Sequence, residues 1–108
     1  GHRTRSVAGT LPYMAPEAVE GRADCRADIY SAAAVLYEML TGVVPFVGRS
    51  ADEMKSRILT RQARPPVDLN PVVPPAVSEM VVLGLAKEPD RRALRADGLL
   101  AALRAGPE

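Results

Sequence analysis

The sequence predicts a mainly α-helical fold, with about five helices around a central apolar helix and no strands. Three observations carry that expectation. From Ile29 to Leu40 nearly every position is apolar or small, and only Ser31 and Glu38 are clearly polar. A helix apolar on every side needs neighbours on every side. Elsewhere apolar residues recur at helical spacing: Met54, Ile58 and Leu59, then Val77, Met80, Val81 and Leu85, then Leu99, Leu100 and Leu103. No run alternates with period two, as a half-buried strand would.

Residues 1–8 are polar and basic and read as a solvated loop, in which Arg3 and Arg5 beside Thr4 would suit a phosphate. Leu11, Pro12, Tyr13 and Met14 form an extended apolar segment feeding a short helix, with Pro16 preset for its first position and Gly21 closing it. The central helix spans the stretch Ala23–Gly42. Asp24 caps its start, and Gly42 ends it in a left-handed conformation with Pro45 close behind. Ser50 and Glu53 spell a capping box at the head of the next helix. Residues 63–75 carry five prolines and predict a stiff extended connection. A further helix is expected from about Pro75 to Lys87, and a last amphipathic one over 96–105.

At 108 residues the chain is one domain or a piece of one. Its net charge of +1 gives no footprint for nucleic acid or an anionic membrane surface. The central apolar run falls well short of the roughly 20 residues a membrane span needs. The polar start lacks the apolar core of a signal peptide. One cysteine, Cys25, and one histidine, His2, leave no internal disulfide and no zinc site. Cys25 reads as a packed thiol near a helix start, and a reducing, cytoplasmic setting is expected. Asp28, an acid at the mouth of the most apolar segment, is the anomaly. As a residue near the positive end of the helix it suits the dipole.

Four blocks give the chain a family likeness. Gly9-Thr10 precedes Tyr13-Met14-Ala15-Pro16-Glu17, which contains the Ala-Pro-Glu element that closes a protein-kinase activation segment. Asp28-Ile29-Tyr30-Ser31, running on to Val35-Leu36-Tyr37-Glu38-Met39-Leu40-Thr41-Gly42, resembles the helix through the C-terminal lobe of those enzymes. Pro45-Phe46 with Gly48 resembles the loop that follows. Lys87-Glu88-Pro89-Asp90-Arg91-Arg92 resembles the Lys-Asp-Pro-x-x-Arg element. In this order, over essentially the whole chain, they resemble serine/threonine kinases of the bacterial type. Ala33 stands where the family helix usually carries glycine, Ala93 where proline is usual, and Leu11 where proline is frequent.

The resemblance implies the helical C-lobe portion of the protein-kinase-like fold, with residues 1–17 as activation segment and substrate loop and 18–108 as the helical remainder. It implies that Thr10, Leu11, Pro12 and Tyr13 receive the protein substrate, Thr10 lying near the catalytic aspartate. Glu17 and Arg92 are implied to form the buried ion pair that anchors the activation segment, Arg92 being preferred to Arg91 on its spacing from Pro89. Asp28 is implied to hold the catalytic loop through that loop's backbone. Thr4 and Ser6 are candidate phosphorylation sites.

The residues that hold ATP and Mg²⁺ in this family are absent: there is no Gly-x-Gly-x-x-Gly, no His-Arg-Asp and no Asp-Phe-Gly in the sequence. ATP and Mg²⁺ are therefore expected for a full-length relative, with no catalytic or metal-binding residue in this chain and no activity from it alone. Its partners are expected to be protein substrates and the missing N-lobe and catalytic loop of the same kinase. The other reading is a pseudokinase-like or split-gene fragment serving as a protein-binding module.

Overall fold

A computed structural model describes residues 11–93. The expected loop at 1–8, Thr4, Ser6 and Thr10, and the last helix over 96–105 lie outside the described residues. Within them stand a 3-10 turn, Leu11–Tyr13, and six α-helices: α1 Pro16–Val19, α2 Arg26–Thr41, α3 Ala51–Thr60, α4 Pro66–Leu69, α5 Pro75–Gly84 and α6 Pro89–Ala93. No strand occurs among the described residues, and none of their helices is long and apolar enough to cross a membrane.

The central helix is α2, packed by α5, α6, α4 and the 3-10 turn. Ala27, Tyr30, Ala33, Ala34 and Tyr37 are buried on it and meet Val73, Val77, Val81 and Leu85. Gly42 ends it with φ 84°, its N–H donating to Glu38 O at 2.7 Å. Burial is not complete, against the expectation from composition. Val35 is 43% and Met39 75% exposed, and with exposed Asp28 and Ala32 they form one stripe at helical spacing. Among the described residues no element covers that side.

Ala33 faces Gly84. A methyl built on Gly84 would stand 2.7 Å from the Ala33 Cβ, so the two helices have room for one side-chain carbon between them. Gly84→Ala is accordingly expected to cost about 1–3 kcal/mol by overpacking, set against roughly 1 kcal/mol of improved helix propensity. The exchanged pair Ala33→Gly with Gly84→Ala should recover most of the loss. Chemical denaturation of the two variants checks this, and equal stabilities for the single and exchanged variants would contradict the packing argument.

Prolines start three of the helices that surround α2. Pro66, Pro75 and Pro89 each occupy a first-turn position, where the missing N–H costs nothing. The stretch 63–75 is thus not extended throughout: α4 interrupts it, with Val67 N–H donating to Ser78 Oγ at 3.1 Å. The α5 helix stops at Gly84 rather than Lys87, because its last turn tightens: Leu85 N–H is shared between Val81 O and Val82 O, each at 3.1 Å, and Ala86 N–H donates to Leu83 O at 3.1 Å. At α3 the Ser50 Oγ accepts from Glu53 N–H at 3.1 Å, and Glu53 returns to Arg49 N–H at 2.5 Å, one residue ahead of the cap. A second cluster of Leu11, Phe46 and Ile58 seats the 3-10 turn against α3. Lys87 completes that corner: its Nζ donates to Ile58 O at 2.6 Å and lies 4.8 Å from the Phe46 ring centroid. Burial lowers the Lys87 pKa.

Candidate functional site

The elements bring α1 and the Lys-Glu-Pro-Asp-Arg-Arg segment to one place beside α2. Glu17, in the first turn of α1, is buried, and so is Arg92 on α6. Arg92 Nη1 donates to Glu17 Oε2 at 2.9 Å and Nη2 to Oε1 at 2.6 Å, a two-pronged contact that fixes orientation as well as distance. The same guanidinium donates to Arg26 O at 3.1 Å and Lys87 O at 3.2 Å, and stacks over Tyr30 with 5.4 Å to the ring centroid. Arg92 is thus the hub where α1, the head of α2 and the α5–α6 turn meet. Arg91 points to solvent, 4.0 Å from Glu88. Burial is the largest influence on Glu17 and opposes its ionisation, but the Arg92 hydrogen bonds, a backbone hydrogen bond and the Arg92 charge together outweigh it and hold the carboxyl below its ordinary value. Two buried polar atoms in this region, Tyr30 Oη and Arg92 Nε, have no hydrogen-bond partner among the described residues.

Next to this anchor, Leu11, Pro12 and Tyr13 form the 3-10 turn, closed by Met14 N–H donating to Leu11 O at 3.1 Å. Leu11 is buried, while Pro12 and Tyr13 are partly exposed. Tyr13 Oη donates to Glu38 Oε1 at 2.6 Å. That hydrogen bond, more than burial, raises the Tyr13 pKa. Glu38 is thus partly buried and engaged with a residue 25 positions away. Ser31 Oγ donates to Tyr13 O at 2.7 Å. Neither contact was legible from the sequence beyond the fact that Ser31 and Glu38 interrupt an apolar run.

Asp28 is exposed in the first turn of α2, and its side chain makes no hydrogen bond or ion pair among the described residues. Asp24 does the capping: its Oδ1 accepts from Arg26 N–H at 2.9 Å and Oδ2 accepts from Arg26 Nη2 at 2.7 Å. Arg26 thereby holds the Asp24 carboxyl at about 2. Arg26 also bridges to Asp90 on α6. Cys25 is exposed rather than packed, because the helix begins beyond it and none of the described residues covers that turn. Among the described residues no three His, Cys, Asp or Glu side chains gather as a divalent cation would require.

Comparison with known proteins gives the setting of this site. The protein kinase domain family matches residues 1–99. The DNA damage-responsive serine/threonine-protein kinase RqkA of Deinococcus radiodurans is 44% identical over 94 residues, covering 84% of this chain and 14% of the relative. The serine/threonine-protein kinase PknB of Mycolicibacterium smegmatis is 38% identical over 91 residues, 83% of this chain and 15% of the relative. The serine/threonine-protein kinase PknE of Mycobacterium tuberculosis is 41% identical over 102 residues, 93% of this chain and 18% of the relative. The chain thus spans less than a fifth of the length of each of these relatives.

Proposed function

Because the chain belongs to the protein kinase domain family, we propose that it is the activation segment and helical C-lobe portion of a serine/threonine kinase. In its longer form such an enzyme transfers the γ-phosphoryl group of ATP to serine or threonine of protein substrates. The observation that carries this reading is the buried Glu17–Arg92 contact, which joins the Ala-Pro-Glu element to the Lys-Glu-Pro-Asp-Arg-Arg element across 75 positions. A contact of that kind sets where the substrate-receiving segment lies, and positioning supplies much of the catalysis in phosphoryl transfer.

In this reading residues 1–17 are the activation segment and substrate loop, and 18–108 the helical remainder. Thr10, Leu11, Pro12 and Tyr13 receive the substrate, and Thr4 and Ser6 are acceptors for activating phosphorylation. Asp28 supports the catalytic loop. The exposed stripe of Asp28, Ala32, Val35 and Met39 is the seat for the part of the same kinase that carries that loop. Among the described residues that carboxylate has no partner and the apolar stripe on the same helix face has no cover, which fits such a neighbour. The proposed setting is cytoplasmic, with protein substrates as partners and no part for nucleic acid.

The residues of this chain do not fit ATP–Mg²⁺. There is no glycine-rich loop or catalytic-loop motif in the sequence and no acidic cluster for a divalent cation among the described residues. Nucleotide and metal would be held by residues outside the 108, and the chain alone is proposed to be inactive.

The test is phosphoamino-acid analysis of a generic protein substrate incubated with the longer kinase and Mg-ATP. Only phosphoserine and phosphothreonine are expected, and Thr10→Ala should reduce transfer roughly tenfold or more, the worth of a hydrogen bond to a charged group. Phosphotyrosine as the main product would overturn the serine/threonine assignment. Complete absence of transfer would favour the binding-module reading.

A further inference from the structure

Ser31 and Glu38, the two clearly polar residues in the apolar run of α2, stand seven positions apart, two turns along one face. Both reach Tyr13. Ser31 takes the backbone, its Oγ donating to Tyr13 O at 2.7 Å, and Glu38 takes the phenol at 2.6 Å. A hydroxyl inside a helix commonly bonds back to the carbonyl one turn earlier, as Thr41 does to Tyr37 O at 2.8 Å. Ser31 instead leaves its helix to supply the donor for a partly buried loop carbonyl. At the other end of the same turn, Leu11 is buried against Phe46 and Ile58. The segment is therefore tied at both ends, by apolar packing at Leu11 and by a main-chain hydrogen bond at Tyr13.

We infer that Ser31 is a positioning residue for substrate: it fixes the Tyr13 backbone to the central helix so that Pro12 and its neighbours are presented in one orientation. The inference rests on the kinase reading above, and concerns which residue of α2 holds the substrate loop. A hydrogen bond of this kind is directional where apolar packing is not. Its loss should loosen the loop and leave the nucleotide side of the reaction untouched.

The test compares the full-length kinase with its Ser31→Ala and Ser31→Thr variants. The KM values for a protein substrate and for ATP are measured separately, alongside amide exchange at Met14. Ser31→Ala is expected to raise the protein-substrate KM about 3- to 10-fold, leave the ATP KM unchanged and speed exchange at Met14. Ser31→Thr, which keeps the hydroxyl, should stay close to wild type. An active wild type whose Ser31→Ala variant has an unchanged protein-substrate KM, or an equal rise in both KM values, overturns the inference alone. A Ser31→Ala variant that fails to fold overturns it too, since the hydroxyl is then structural. An inactive wild type overturns the kinase reading, and the inference with it.

Discussion

Glu17→Ala in the longer kinase is expected to lower stability by about 3–5 kcal/mol, because it strands a buried guanidinium. Arg92 has none of its surface exposed, so its charge cannot turn to water when the carboxylate is removed. The carbonyls of Arg26 and Lys87 remain as acceptors at 3.1 and 3.2 Å, but neither carries a compensating charge. Arg92→Lys should also be costly, since an ammonium cannot reproduce the paired contact or the stacking on Tyr30. The pair predicts an acid limb as well. The folded Glu17 carboxyl titrates below its ordinary 4.5, so above 4.5 the stabilisation is fully present. As pH falls from there through the lower folded value, the unfolded state binds the proton first and the stabilisation is lost. Urea unfolding at a series of pH values from neutral down checks both statements. Glu17→Gln should flatten the acid limb, and an unchanged limb would place the titration elsewhere.

The second large effect is expected at Ile58. It is fully buried on α3 between Leu11 of the 3-10 turn and Phe46 of the loop after α2. Ile58→Ala should cost about 2–5 kcal/mol, the span depending on how far the surrounding side chains close the cavity. The loss should be felt in the loop as well as in global stability, because this cluster seats the 3-10 turn. Thermal melts combined with amide exchange at Met14 give the two readouts. A melt lowered without faster exchange at Met14 would mean that the turn is held by Ser31 and Glu38 alone.

How far the sequence foretold the fold depends on whether the signal was local. The limits of α2 were legible because Asp24 and Gly42 act on their own neighbours, and Gly42 takes the left-handed conformation that only glycine adopts freely. The Ser50 cap is local for the same reason. The short helices α4 and α6 span 4 and 5 residues, too few for a periodic pattern, and only their prolines mark them. Pro66 inside a proline-rich run suggested extension, and it was Ser78, distant in sequence, that received the Val67 N–H and allowed the turn to close. The exposed side of α2 was not legible at all: composition says how apolar a helix is, not which neighbours are present to cover it.

The site divides along the same line. Glu17 and Arg92 were singled out by family likeness, since no local pattern relates residues 75 positions apart. The Glu38 contact was not legible for the complementary reason. A glutamate on a helix is usually solvated, and its partner Tyr13 lies on a segment that only the tertiary fold brings across α2. Ser31 shares that history. Its hydroxyl leaves the helix, and a sequence pattern carries no record of the direction in which a side chain turns.

The central claim, that these residues belong to the substrate-receiving half of an autophosphorylating kinase, is tested most directly by mapping phosphosites. The longer protein and this chain alone are each incubated with Mg-ATP and analysed by mass spectrometry. The account predicts phosphate on Thr4 or Ser6 in the longer protein and none anywhere in the chain alone. Phosphate on the isolated chain, or none on an intact and folded longer protein, would contradict it.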